Sequence, residues 1–143
     1  MQTSFYASGF LYSLKTQQIL LLQPPDLTSF WSTLGGESKE GEETQVAFQR
    51  IIYKILNIEL KNKHIFPVYD YFHNIRNKMN YVFYAEVGKP KIPNTPKSIF
   101  SWFTFHETLK LPFNTQTKQD LVVGERVINL KFREDELKQG LGS

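Results

Sequence analysis

The stretch GGESKEGEETQVAFQRIIYKILNI, residues 35–58, decides how the rest of the chain is read. It opens on the glycine pair Gly35–Gly36 and continues through a polar run, Glu37 to Glu43. Apolar residues then recur at Val46, Ala47, Phe48, Ile51, Ile52, Ile55 and Leu56. Most of them fall at four-residue spacing, which places them on one wide stripe of a helix. Thr44 is the expected N-cap, because a hydroxyl can accept a backbone N–H that a helix start leaves orphaned. The helix is expected from about Gln45 to Leu56. Asn57 ends it, since asparagine tolerates the left-handed conformation.

Outward from this loop and helix the pattern changes period. Thr3 to Leu14 alternates apolar with small or polar residues and predicts a strand. Lys15 to Gln18 is a polar turn, and Ile19 to Leu22 a buried strand closed by Pro24–Pro25, so the two strands form a hairpin. Asp26 to Ser29 is a loop. Past the helix, His64–Phe72 and Asn80–Val87 predict two more strands, joined by a turn at Asn74–Lys78. Gly88 to Pro96 carries three prolines and is a loop. Ser101 to Phe105 is a short aromatic strand, Leu111 to Thr117 a loop, and Asp120 to Leu130 a closing helix. Without an internal repeat or a linker, these strands and helices form a single domain over residues 1–132. The charged residues 133–143 are expected as a flexible tail.

Composition narrows the function classes. The 143 residues suit one domain, with 41% hydrophobic and 22% charged residues, a globular balance. Without cysteine, disulfides, thiolate metal sites and cysteine nucleophiles are excluded. The longest apolar run, Ile19 to Leu22, is too short to span a membrane, and the first residues lack the basic-then-apolar pattern of a secretion signal. A cytoplasmic protein is expected. The net charge of +3 favours anionic partners only mildly. His64, His73 and His106 lack the spacing of a metal site and read as ordinary surface or strand residues.

Residues 35–58 resemble the Nudix box. The family pattern is a glycine, a glutamate after five residues, and, seven residues further, an arginine that leads a helix. Gly36, Glu42 and Arg50 stand at those places, Ile52 and Ile58 at its aliphatic positions, and no gap interrupts the spacing. Trp31 shortly before the glycines, and the segment Trp102 to Glu107 with Leu111–Pro112, also look like the family's flanks. The resemblance implies an α/β/α sandwich with a mixed, curved sheet between helices. It further implies that Glu42 and Arg50 brace the loop against the helix.

The same resemblance exposes what is missing. Active family members place carboxylates directly after the arginine and four and five residues after it, where they ligate magnesium or manganese beside the glycine carbonyl. Diphosphate hydrolysis needs such ions to neutralise phosphates and activate water. Here those positions are Ile51, Lys54 and Ile55. The late loop that often adds another acid offers Lys89, Lys91 and Lys97 instead. Two readings of Ile51 and Ile55 stand side by side: a helix that buries a wider face, or a metal groove turned apolar for a ligand or partner. Glu37, Glu40, Glu42 and Glu43 are the only nearby acids, either a solvated loop or a displaced metal site.

Ligand-binding candidates follow from base chemistry. Phe5, Tyr6 and Phe72, with Phe30, Tyr71 and Phe83, could stack a base. Gln119 and Asp120, near the last helix, could pair with a base edge, although a helix cap is the plainer role for Asp120. Arg76 and Lys78, with the three late-loop lysines, could form a phosphate-holding rim or simply a solvated surface. The expected protein binds a nucleoside diphosphate-type or other phosphorylated ligand, with hydrolysis lost or weak and no metal or other cofactor. One alternative is an active hydrolase using magnesium or manganese on Glu37, Glu40, Glu42 or Glu43. The other is an RNA- or protein-interaction module. A monomer or homodimer fits each.

Overall fold

Strand β1 (Tyr6–Ser13) is the axis of the sheet in this computed structural model, which describes residues 4–25 and 30–141. The expected loop at Asp26–Ser29 and the expected first strand residue, Thr3, lie outside the described residues. The first half of β1 pairs antiparallel with β3 (Leu34–Glu37), from Tyr6 opposite Glu37 to Gly9 opposite Leu34. Its end pairs antiparallel with β2 (Gln18–Gln23), Tyr12 opposite Ile19, as the hairpin reading expected. Along its other edge β1 runs parallel to β5 (Lys78–Val87) for its whole length. Strands β4 (Ile65–His73) and β6 (Ile99–Phe103) complete the order β4-β5-β1-β2-β6, with β3 paired to β1 off that path. Gly9 is required by this geometry: a Cβ there would lie 1.8 Å from the Phe83 carbonyl oxygen.

The sheet separates two apolar layers. Helix α1 (Thr44–Leu56) sets Ala47, Phe48, Ile51 and Ile52 against Ala7, Leu11, Phe83 and Ala85. On the other face α3 (Thr115–Leu141) sets Leu121 and Ile128 against Phe10, Ile19, Leu21 and Tyr84. A Cβ on Gly124 would come within 2.7 Å of the Phe10 ring, so α3 lies close on β1. Lys131 pins the same helix to the sheet, 4.7 Å above the Phe66 ring and 3.4 Å from the Glu86 carboxylate. This is the α/β/α sandwich expected from the sequence.

Four local expectations are corrected. Thr44 is not the cap but the first helical residue; Glu43 precedes it in extended conformation without a side-chain cap bond. The reason is the Lys39–Glu42 turn, closed by backbone and carboxylate bonds, which delivers the chain to the helix one residue early. The glycine pair forms strand β3 rather than loop, because Tyr6 and Ile51 cover the two faces that side chains would otherwise occupy. The last sheet strand ends at Phe103, and a four-residue helix α2 (Phe105–Thr108) follows. Thr104 and Glu107 form a reciprocal capping box at its start. Helix α3 starts at Thr115, where the Asn114 carboxamide oxygen accepts the Thr117 N–H at 2.7 Å, and continues through Leu141, across the stretch expected as a tail. Asn57 does end α1 in the left-handed region, at φ 57°, and donates to the Tyr53 carbonyl.

Candidate functional site

Glu42 and Arg50 tie the box loop to its helix. Arg50 Nε and Nη2 donate to the two Glu42 oxygens at 2.7 and 3.0 Å, and Nη2 also reaches the Glu37 carbonyl at 2.8 Å. The Lys39 N–H donates to the same carboxylate at 2.9 Å. The Arg50 hydrogen bond holds the Glu42 carboxyl below its ordinary pKa, with the Lys39 bond helping and burial opposing. Glu42 raises the guanidinium in return. A carboxylate so engaged braces the loop. Glu37 is paired too, with Lys78 at 2.6 Å.

The groove beside this brace is apolar. Ile51 is 3% exposed and lies over Gly36, where a Cβ would come within 3.2 Å of its Cγ1. Ile55 is half-buried against the same core as Ile92 and Trp102, while Lys54 is exposed. A separate trough of about 640 Å3 has Leu20, Ile92, Phe100 and Trp102 as its floor and Lys89 and Lys91 at its edge. Magnesium and manganese require clustered oxygen donors. Isoleucine, lysine and isoleucine at the three box positions supply none. Among the described residues no three His, Asp or Glu side chains gather closely enough to hold a metal ion. Glu40 and Glu43 are exposed on the loop. The residues present therefore do not fit the divalent ion of the Nudix box.

A second polar cluster lies on the α3 face of the sheet. Asp120 is 3% exposed and accepts hydrogen bonds from the Tyr69 hydroxyl at 2.6 Å and the Gln116 amide at 2.9 Å. Burial raises its pKa, opposed by those two bonds and by His73. Beside it the Asn80 amide donates to the Tyr71 hydroxyl at 2.6 Å and its oxygen accepts from Ser8 at 3.2 Å. Burial likewise pushes the Tyr69 and Tyr71 hydroxyls up. At the rim, the Arg76 guanidinium sits 3.7 Å above the Tyr6 ring, a cation–π contact.

These positions redistribute the sequence candidates. Tyr6, Arg76 and Asp120 share the α3 face. Phe5 packs edge-on against Tyr81 in the α1 core, and Phe72, paired with Met79, alternates to that side and is half exposed. The six-ring stacking platform is thus split between the faces, and Phe83 is buried. Asp120 does not cap α3: it lies in the second turn, because the helix starts five residues earlier than expected. Gln119 is exposed, and Gln116, one turn before Asp120, takes the inward place. Tyr69 and Gln116 were missed by sequence reasoning. The Asn114–Thr115 start would have revealed Gln116, whereas Tyr69 depends on a bulge between Pro67 and Tyr69 that has no sequence signature.

Sequence comparison alone is silent: no family model matches the chain and no curated protein matches it. Its structure places it plainly: the chain has the Nudix fold. The Nudix domain of Shewanella oneidensis NrtR, solved with ADP ribose, superposes with a TM-score of 0.69 at 15% identity, over 90% of each chain. The E. coli ORF135 protein gives 0.66 at 16% identity, covering 89% of this chain and 91% of its own. A MutT/Nudix family protein from Listeria innocua gives 0.65 at 16% identity, covering 90% and 94%.

Proposed function

We propose that this Nudix-fold chain binds a nucleoside diphosphate-type ligand without a divalent ion and does not hydrolyse it efficiently. The observation that carries the reading is Ile51 packed over Gly36, where the resemblance calls for a metal-ligating carboxylate. Lys54 is an exposed cation on the box helix, and Lys89 and Lys91 edge the trough of Leu20, Ile92, Phe100 and Trp102. An ammonium can meet a phosphate oxygen as a point charge without metal. Tyr6 under Arg76 supplies a ring and a cation for a base on the α3 side of the sheet. The ADP ribose bound by the NrtR domain supports this ligand class. Relocated catalysis finds less support, since Glu37 and Glu42 are already paired with Lys78 and Arg50.

The test is calorimetry with ADP-ribose, once in excess EDTA and once in magnesium. The expected result is the same affinity in both buffers, lowered by Lys54→Glu, with no product detected by chromatography. Binding only in magnesium, or magnesium-dependent turnover, would overturn the proposal.

A further inference from the structure

At the opposite end of the parallel β1–β5 pair lies a larger trough, of about 910 Å3. It sits beside Ser13 and Val87, whereas Tyr6 and Asn80 mark the end that carries Arg76 and Glu37. At about 3.3 Å per residue the two ends are roughly 23 Å apart. Leu14, Ile58, Leu60 and Val87 make an aliphatic floor, and Lys15, Lys61, Lys89 and His64 stand around it. Two acids also line it. Glu86 is engaged by Lys131 at 3.4 Å, and Glu59 is exposed. The walls are irregular backbone held in place: the Gln49 amide donates to the Leu60 carbonyl, the Gln45 amide to the Asn62 carbonyl at 2.9 Å, and the Ser13 hydroxyl to the Gly88 carbonyl at 2.7 Å.

We infer that this trough docks an extended, acidic-apolar segment of a protein partner. The trough is a solvent-open depression rather than an enclosed cavity, which suits a chain segment better than a small molecule. A chain segment can instead lay alternate apolar side chains on the floor and turn its carboxylates to the lysines. Charge complementarity selects the acidic partner: three lysines face one exposed carboxylate. The floor is aliphatic and, of the lining residues, only His64 carries an aromatic ring, far from the row of rings that single-stranded nucleic acid stacks on, which favours peptide over RNA. Pre-held walls reduce the ordering cost of binding.

The experiment pans displayed random peptides against the full chain and measures the selected peptides by fluorescence anisotropy. Selected sequences are expected to alternate Asp or Glu with Leu, Ile or Val. Their affinity should fall roughly tenfold or more in K15E/K61E/K89E, as charge reversal at a complementary rim predicts. A matched triple reversal away from the trough, K110E/R133E/K138E, should leave it unchanged. Amide shifts on binding should centre on Leu60, Lys61, Gly88 and Lys89. No enrichment, enrichment without acidic residues, equal loss in both triple variants, or tighter capture of mixed-sequence RNA by the same residues would each overturn the inference.

Discussion

Replacing Ile51 with glutamate restores the residue type that the Nudix pattern calls for, and the structure predicts that the restoration is harmful. Ile51 is 3% exposed and its side chain covers Gly36. Losing the branched apolar surface costs about 1–2 kcal/mol, since glutamate keeps only two methylenes in contact. Burying the new carboxyl without a hydrogen-bond partner costs about 1–3 kcal/mol more, even when it is protonated. Together about 3 kcal/mol is lost, or a melting temperature lower by about 9 °C for a domain of this size. The pH dependence has a definite sign. Burial raises the folded-state pKa of a carboxyl above its unfolded value of about 4.3, so the folded chain holds the proton longer. The deficit is smallest below the unfolded pKa and grows as pH rises toward the folded one. Urea unfolding of Ile51→Glu, Ile51→Leu and the parent chain at pH 4 and pH 8 measures this directly. Ile51→Leu, which conserves volume, should cost less than about 1.5 kcal/mol. A glutamate variant within about 1 kcal/mol of the parent at pH 8, or one whose deficit ignores pH, would refute the claim that Ile51 is packed in apolar surroundings over Gly36.

Other consequences follow from the same contacts. Gly36→Ala should cost about 1 kcal/mol, because its Cβ meets Ile51 at 3.2 Å. Adding Ile51→Ala should relieve that clash, so the double variant loses about 1 kcal/mol less than the sum of the singles in denaturant melts; strict additivity would contradict the packing. Glu42→Gln should cost about 1–2 kcal/mol at pH 7. The Glu42 pKa is depressed in the fold, so its contribution is present above the ordinary carboxylate range and disappears as pH falls through the folded value. The gap between variant and parent should therefore close near pH 2, and a gap unchanged by acid would count against the ion pair. Tyr69→Phe removes a donor from buried Asp120 and should cost about 1–2 kcal/mol at neutral pH. Because the Asp120 pKa is raised, stability should fall as pH climbs above the ordinary aspartate range, more steeply in this variant. Titrating the stability of both chains from pH 4 to pH 8 checks it.

The fold was legible wherever periodicity carried it. The amphipathic stripe of Val46 to Leu56, the left-handed stop at Asn57 and the alternating strands around the Asn74–Lys78 turn all lie where the apolar pattern put them. Elements defined by contacts rather than pattern were not. Gly35 and Gly36 have no side chains to alternate, so only their pairing with β1 makes them a strand. The Thr104–Glu107 capping box is written in the sequence, but its first residues, Thr104 and Phe105, also continue the aromatic pattern of the strand expected over Ser101–Phe105. The apolar pattern of the last helix begins at Leu121, which marks Asp120 as a cap and Gln119 as its neighbour, whereas the helix begins at Thr115 and its inward face carries Asp120 and Gln116. The bracing role of Glu42 and Arg50 was legible through the resemblance, since the spacing of eight residues places loop and helix residue in reach.

The measurement that bears most directly on the loss of the metal site is a manganese titration followed by amide resonances. A paramagnetic ion held beside Gly36 would selectively broaden the signals of Gly36, Ile51 and Ile55. The expected result is no selective broadening of these three up to millimolar manganese, with any general broadening confined to exposed acids such as Glu40 and Glu43. Selective loss of the Gly36, Ile51 and Ile55 signals at substoichiometric manganese would place a metal in the groove and contradict the account.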